Sequence, residues 1–236
     1  YGGSDGLIFN SFGSDIVENL KKLNFLLALR GGEDVFYFQP GMRYYVSIFK
    51  IIFGETNFGY IFLVAFFPYL IFLLFKKITN KNIAYILFFI FIFFPIFESI
   101  GFGHFNYIRQ AVRLHAESLS IILLIISIYI FFIEEDKNIK SNISIILIAL
   151  LFTQAIFLRP NFLPTCLILS FYLIYSNILN KNILSKNFLF VFFLTPTLFC
   201  LIHNLYFGNE FVFFSSASVH ILLTKSFASL NFTEAN

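Results

Sequence analysis

The sequence is poor in charge, in cysteine and in tryptophan. Only 12% of its 236 residues are charged and it has no tryptophan. Soluble domains are about a quarter charged, so this composition excludes an ordinary soluble domain. The two cysteines, Cys166 and Cys200, both lie inside apolar runs. That placement excludes a disulfide framework and favours two buried thiols.

The residue patterns of several catalytic and ligand-binding classes are absent as well. The histidines His104, His115, His203 and His220 show no metal-ligand spacing. There is no Ser-His-Asp order, no phosphate-binding loop and no specific dinucleotide-binding glycine motif. We therefore expect no metal and no cofactor. The formal net charge of +3 is small, and we expect no nucleic-acid partner.

Apolar residues make up 58% of the chain, the mean hydropathy is +0.83, and most of these residues fall into six runs. The runs cover about 57–75, 83–98, 118–133, 143–158, 162–178 and 188–205. Several are near the lower limit for a helix that crosses about 30 Å of hydrocarbon. The sequence thus predicts an all-α, polytopic transmembrane helix bundle. Because the chain begins at Tyr1 and shows no signal peptide, we also expect at least one span upstream.

The lysines indicate how the bundle is oriented. By the positive-inside rule, connections rich in lysine face the cytoplasm; these are 76–82, 134–142 and 179–187. The segments that then lie outside are 1–56, 99–117, 159–161 and 206–236. All the arginines, Arg30, Arg43, Arg109, Arg113 and Arg159, fall on that outer side. Since arginine offers a planar fork that matches phosphate, the outer face is either specialised for anions or arginine-rich by chance.

The first 56 residues predict an outer loop with two interfacial helices, within a single domain that covers 1–236. Pro40 suits the first turn of a helix over 40–53, which Gly54 ends. The apolar face of that helix is predicted to hold Met42, Tyr45, Val46, Phe49, Ile52 and Phe53, and the polar face Arg43, Ser47 and Lys50. An earlier amphipathic helix is predicted from Ile8, Phe12, Ile16, Leu20 and Leu23. Neither is long enough to span, so both should lie along the membrane surface.

Polar residues on the outer side are the candidates for chemistry, and each has a plain structural alternative. Asp5, between glycines, is either a helix N-cap or a catalytic carboxylate. Glu33 and Asp34 are either solvated or held beside the aromatic run that follows, which would raise a pKa. Arg109 and Arg113 share one helix face and form either an anion site or a solvated loop with an Arg113–Glu117 pair. Arg159 either snorkels to the surface or, if buried between spans, needs an anionic partner.

The order SDG, amphipathic helix, then QPGMRYYVSIFKIIFGETNFGY resembles the first outer loop of the GT-C membrane glycosyltransferases. That superfamily includes the aminoarabinose transferases of lipid A and the protein O-mannosyltransferases. The resemblance covers residues 5–60, about a quarter of the chain. Two positions depart from the family pattern. Asp5 is followed by Gly6, so the second acid is missing, and Gln39 replaces a phosphate-contacting lysine, for which Arg43 is expected to substitute.

The resemblance implies transfer of a sugar from a polyprenyl-phosphate donor to a lipid or glycan hydroxyl on the outer face of a bacterial inner membrane. Asp5 would be the general base and the outcome would be inversion. The substrate-binding residues implied on the outer side are Glu33, Asp34, Gln39, Arg43, Arg109, Arg113 and Arg159. The alternatives are a transporter or flippase of lipid-linked sugars, and a membrane protein of the envelope without catalysis.

Overall fold

A computed structural model describes residues 4–36, 39–56, 58–94, 103–135, 142–179 and 185–212. This part of the chain is all-helical, as predicted, and contains no strand. The helices are α1 (Ser4–Lys21), α2 (Phe25–Arg30), α3 (Gly41–Phe53), α4 (Phe58–Ile78), α5 (Lys81–Phe93), α6 (His104–Val112), α7 (Ala116–Glu135), α8 (Asn142–Leu158), α9 (Leu163–Leu179) and α10 (Ser185–Gly208), with a 3-10 turn at Pro160–Phe162 between α8 and α9. The outer segment predicted at 206–236 lies outside the described residues after 212.

The six predicted apolar runs each correspond to a helix: α4, α5, α7, α8, α9 and α10. The end of the run 83–98 lies outside the described residues. By length and composition, one segment of the described chain, Ala116–Ile133 in α7, is long and apolar enough to cross a membrane. Helix α5 and the segment Ile143–Leu158 of α8 are apolar but shorter. The six predicted runs are therefore helices, and one of them has the length and composition of a membrane span.

The main core lies where α1, α3, α7 and α8 meet. Its centre is formed by Met42 of α3 and by Ala149, Phe152 and Ala155 of α8, all of which are at most 1% exposed. Small side chains let α7 approach α8, and the hydroxyl of Ser120 donates to the Ala155 carbonyl oxygen at 3.2 Å. Cys166 and Cys200 are buried free thiols, as predicted. The core fixes α3 against α8 and so fixes the residues at the start of α3.

Two glycines of α1 make close contacts that a larger residue would prevent. A Cβ atom at Gly6 would lie 2.0 Å from the carbonyl oxygen of Arg113, and one at Gly13 would lie 2.5 Å from Cγ1 of Val46. Helix α1 therefore lies across α3 and the junction of α6 with α7. Its buried side carries Phe9, Gly13, Ile16 and Val17. Of the predicted set only Ile16 is buried, and Leu23 lies beyond the helix and is 72% exposed.

Helix α3 has nearly the predicted bounds, but its predicted orientation is wrong. The three polar side chains expected on its outer face, Arg43, Ser47 and Lys50, are 0%, 4% and 8% exposed. The side chains exposed instead are Ile48, Ile51 and Ile52, at 47%, 57% and 64%. The polar face of α3 thus points into the protein and an apolar face points out.

The inward face of α3 is stable because its polar groups find partners in the protein. The ammonium of Lys50 donates to the hydroxyl of Ser14 on α1 and pairs with the carboxylate of Glu55 just after α3. The hydroxyl of Ser47 donates to the Tyr44 carbonyl oxygen at 2.7 Å. Buried polar groups are tolerated when they are hydrogen-bonded in this way. The amphipathic pattern predicted the helix but not its packing. Met42 and Val46 of the predicted apolar face are buried together with the polar side chains, whereas Ile48 and Ile51, which were not in that set, are exposed.

Candidate anion-binding site

The candidate site is centred on Arg43, in the first turn of α3. Its side chain is fully buried, and Nη1 donates to the carbonyl oxygen of Gly31 at 2.7 Å. Its Cζ lies 4.2 Å from the ring centroid of Phe12 and 5.1 Å from that of Phe36. Gly31 ends α2 with φ +66°, and a Cβ atom there would lie 2.9 Å from Cδ of Arg43. The left-handed turn after α2 therefore also makes room for the guanidinium.

One carboxylate lies beside this cation. Nη2 of Arg43 is 3.4 Å from Oε1 of Glu33, whose side chain is 14% exposed. That separation is long for a charge-assisted hydrogen bond, which is usually about 2.7–2.9 Å. Burial lowers the pKa of Arg43, and the carboxylate of Glu33 opposes that shift. Arginine stays charged in proteins, so the site keeps its cation beside the carboxylate of Glu33.

The site has more buried donors than acceptors. Among the described residues, Nε of Arg43 and Nε2 of Gln39 have no hydrogen-bond acceptor, and Nη2 of Arg43 has only the long contact with Glu33. Gln39 is 6% exposed and stands just before α3. More than nine in ten buried polar groups in proteins are hydrogen-bonded, so a group of unsatisfied N–H donors around a cation is unusual. Such a set is suited to a negatively charged group with several acceptor oxygens.

Helix α10 closes the site from the other side with residues that the sequence analysis did not select. Sγ of Cys200 lies 3.9 Å from Oε1 of Gln39. His203 stacks on the ring of Phe36, with centroids 3.4 Å apart, and Asn204 accepts a 2.7 Å hydrogen bond from the Phe36 amide. A His-Asn pair at the end of an apolar run was the only sequence signal for these two residues.

An apolar cavity adjoins the site. It has a volume of about 320 Å³ and is lined by Leu29, Tyr44, Thr153, Gln154, Phe157, Pro196 and Phe199. Tyr44 follows Arg43 directly, and its hydroxyl donates to the Leu29 carbonyl oxygen. Burial raises the pKa of Tyr44, so this hydroxyl stays protonated at physiological pH. Phe199 of the cavity lining stacks on Phe36 with 6.2 Å between ring centroids, and the guanidinium of Arg43 lies over the same Phe36 ring. The cation and the cavity lining are thus linked through Phe36.

The predicted acidic pair is divided between two arginines. Glu33 faces Arg43, whereas Asp34 accepts from Arg30 at 2.6 Å on the surface, with 60% of its side chain exposed. The left-handed turn at Gly31 and Gly32, with φ +66° and +89°, precedes the two acids. The structure therefore brings Glu33, Gln39 and Arg43 together and leaves Asp34 at the edge.

Arg159 is only part-buried, and it has an anionic partner. Its Nη2 lies 2.8 Å from Oε1 of Glu117, and the two side chains are 37% and 25% exposed. Glu117 thus pairs across α7 and α8, not with Arg113 as the alternative interpretation held. Arg159 ends α8, and Gly41 at the start of α3 packs against the carbonyl oxygen of Phe157 two residues before it.

The remaining predicted residues form a second group near the start of α1. Arg109 is exposed on α6, and Arg113 is half-buried just past the end of that helix, so the two do not continue one helical face. Asp5 is the second residue of α1 rather than the residue before it, and its side chain lies outside the described part. The contact of Gly6 with Arg113 brings the backbone of Asp5 next to this group. Asp5 and Phe12 are seven residues apart, about 10 Å along α1.

Comparisons with family models, with curated proteins and with solved structures found no match to this chain.

Proposed function

We propose that this chain is an integral membrane glycosyltransferase that uses a polyprenyl-phosphate sugar and transfers the sugar to a lipid or glycan hydroxyl on the outer face. The observation that carries the proposal is the set of buried N–H donors on Arg43 and Gln39 without a close acceptor, linked through Phe36 to the lining of an apolar cavity. A lipid phosphate combines the two chemistries that this arrangement suits, an anion with several acceptor oxygens and a hydrocarbon chain. A soluble anion without a hydrocarbon chain would not fill the apolar cavity.

We further propose that the chain is polytopic and sits in a bacterial inner membrane. Large apolar side chains are exposed along α5 and α9. They include Ile86, Phe89 and Phe93 at 56–63% and Ile168 and Phe171 at 66–69%. Soluble proteins rarely expose contiguous apolar surface of this kind, whereas lipid covers it at no cost. The exposed isoleucine face of α3 extends the same argument to a helix that, at 13 residues, is too short to span.

In this proposal the guanidinium of Arg43 and the amide of Gln39 bind the donor phosphate. As the sugar leaves, negative charge builds up on that phosphate, and buried N–H donors that are already in place stabilise it. The acceptor hydroxyl must lose a proton as the new bond forms, so a carboxylate within hydrogen-bond reach acts as general base. The resemblance assigns this role to Asp5, and the contacts around Arg43 make Glu33 the competing candidate. One base without a protein nucleophile gives inversion.

Arg109 and Arg113, near Asp5, would then contact the acceptor or the far side of the donor, and Arg159 would hold Glu117 in place. Asp34, at the edge of the site, is the weakest of the proposed substrate contacts because Arg30 already pairs with it. About 10 Å along α1 separates the two groups. A donor phosphate at Arg43 and a base at Asp5 would therefore face the sugar and the acceptor from opposite ends.

The test uses the protein in lipid nanodiscs with a radiolabelled polyprenyl-phosphate sugar and measures both donor binding and loss of the sugar from the donor. We expect Arg43→Lys to weaken donor binding, because it keeps the charge but loses the fork. Loss of the general base costs about 10²–10⁴-fold in turnover, so either Asp5→Asn or Glu33→Gln should show that loss with binding retained. Lys21→Arg is the control, because it exchanges the same two cations at an exposed position outside the proposed site.

Three results would overturn the proposal. Donor binding that is unchanged in both Arg43→Lys and Gln39→Leu would remove the anion site. Full turnover in both carboxylate variants would remove the single-base mechanism. Movement of the intact donor across the bilayer without loss of the sugar would indicate a flippase instead.

A further inference from the structure

The segment from Arg30 to Phe36, which carries Glu33, is held by two adjacent residues of α10. His203 Nε2 lies 3.0 Å from the carbonyl oxygen of Arg30. Asn204 Oδ1 lies 2.7 Å from the amide nitrogen of Phe36. Both ends of the segment are thus attached to one turn of α10.

The hydrogen-bond roles at Asn204 are fixed by its other contacts. The Phe36 amide is a donor and needs an acceptor, while the Val212 carbonyl oxygen, 3.0 Å from Nδ2, is an acceptor and needs a donor. The side-chain oxygen of Asn204 must therefore face Phe36, and it is this same oxygen that lies 3.1 Å from Nδ1 of His203. If the amide were flipped, Nδ2 would face the Phe36 amide, which is also a donor, and Oδ1 would face the Val212 carbonyl oxygen, which is also an acceptor.

Both ring nitrogens of His203 consequently face acceptors. A neutral imidazole carries one N–H and can satisfy only one of them, either the Arg30 carbonyl or the Asn204 amide oxygen. An imidazolium carries two N–H groups and satisfies both at once. The hold on the 30–36 segment is therefore complete only when the ring is charged.

We propose that His203 and Asn204 are positioning residues for the Arg43–Glu33 site, and that protonation of His203 tightens their hold on residues 30–36. They act through the segment and do not touch the donor. The link to donor binding rests on the proposed function. The effect on the segment itself does not, since it follows from hydrogen bonds within the chain.

Charged groups around the ring decide when it becomes protonated. The positive ones are Arg30, whose backbone contacts the ring, and Arg43, which lies on the same Phe36 ring. These two cations disfavour an imidazolium, whereas the two acceptor oxygens that face the ring nitrogens favour it. The negative groups are Glu33 and Asp34 of the held segment. Helix α8, packed against α10, contributes no charged residue, and Cys200 lies one turn before His203 on α10 itself.

The first measurement is amide hydrogen exchange of peptides covering 31–36, at pH 5.5 and pH 7.5, after correction for the intrinsic pH dependence of exchange. It uses the full chain in nanodiscs without donor. One hydrogen bond contributes a net ~0.5–1.5 kcal/mol, so we expect about two- to tenfold more protection at the lower pH. His203→Gln should abolish that difference. Asn204→Asp places a carboxylate beside Nδ1, keeps the ring charged, and should protect the segment at both pH values.

The matched control is His115→Gln, which removes a histidine far from the segment and should keep the wild-type pH dependence. Equal protection of the wild type at both pH values would overturn the proposal, and so would a pH difference that survives His203→Gln. If Asn204→Asp behaved like the wild type, the Nδ1 contact would carry no weight and the proposal would also fail.

The second measurement is binding of the polyprenyl-phosphate sugar at the same two pH values. The donor phosphate is a diester and does not titrate in this range, so any change belongs to the protein. We expect tighter binding by the wild type at pH 5.5 and no such change in His203→Gln. If exchange responds to pH but donor binding is absent at both values, the hold of His203 and Asn204 on residues 30–36 stands and the proposed function fails. If binding is present but independent of pH, the positioning role is refuted.

Discussion

The Arg43–Glu33 pair makes the sharpest test of how the site is held together. The perturbations are Arg43→Met, Glu33→Gln and the two combined. Methionine keeps most of the arginine stem but removes the charge and the 2.7 Å hydrogen bond to the Gly31 carbonyl oxygen. It also leaves Glu33, at 14% exposure, without its nearest cation.

The magnitude follows from these losses. A hydrogen bond to a charged group contributes about 1.5–3 kcal/mol, and removing one partner of a buried ion pair costs about 3–5 kcal/mol in all. We expect Arg43→Met to lower the free energy of unfolding by about 3–5 kcal/mol. Glu33→Gln should cost less, because Arg43 keeps Gly31 and the two aromatic rings. The double variant should be more stable than the sum of the single effects implies, by about 1–3 kcal/mol, since the neutral amide introduced by Glu33→Gln does not need a cation.

The assay is reversible unfolding in mixed micelles at increasing SDS fraction, followed by circular dichroism and trypsin resistance. Arg30→Met with Asp34→Asn is the matched control, because that pair is exposed and surface pairs contribute only about 0–1 kcal/mol. If the Arg43 and Glu33 effects add within about 0.5 kcal/mol, the two groups do not interact energetically and the argument for a paired buried cation is wrong.

Two further predictions concern packing and topology. Gly6→Ala should destabilise the protein by about 1–3 kcal/mol in the same assay, because its new methyl group would meet the Arg113 carbonyl oxygen. Leu7→Ala, at an exposed position, should change the stability little. Equal effects of the two variants would contradict the close approach of Gly6 to Arg113. Single cysteines at Lys81 and Val112, in a cysteine-free background, should differ when intact cells are treated with an impermeant thiol reagent: the cysteine at Val112 should label and the one at Lys81 should not. Labelling of both, or of Lys81 alone, would refute the proposed orientation.

The helices could be predicted because apolar runs and polar connections set them locally. The prediction of a helix over 40–53 came from a proline, a glycine and a period of 3.6 residues, all within one segment. Gln39 and Arg43 were selected from the resemblance, because Gln39 stands where the family pattern has a phosphate-contacting lysine and Arg43 was expected to substitute for it. What the period cannot supply is the side on which a neighbour packs, and so the burial of Ser47 and Lys50 was missed.

The rest of the site depends on contacts between distant parts of the chain. Glu33 and Asp34 are adjacent in sequence, but the turn at Gly31 and Gly32 directs them to different arginines. His203 and Asn204 could not be predicted as site residues, because nothing near them in sequence indicates a partner. Their significance lies in which backbone groups they face, and that is set by how α10 packs on α8.

The hydrogen bond between Phe36 and Asn204 also sets an order of events during synthesis. Its two ends are 168 residues apart. At about 5–20 residues per second, a ribosome makes the second end roughly 10–30 s after the first. Throughout that interval the segment that carries Glu33 lacks both hydrogen bonds to α10, although α1 and α3 are already present to pack around Arg43. A chain released before α10 is complete would keep the packing of α1 on α3 but would never complete the hold on that segment.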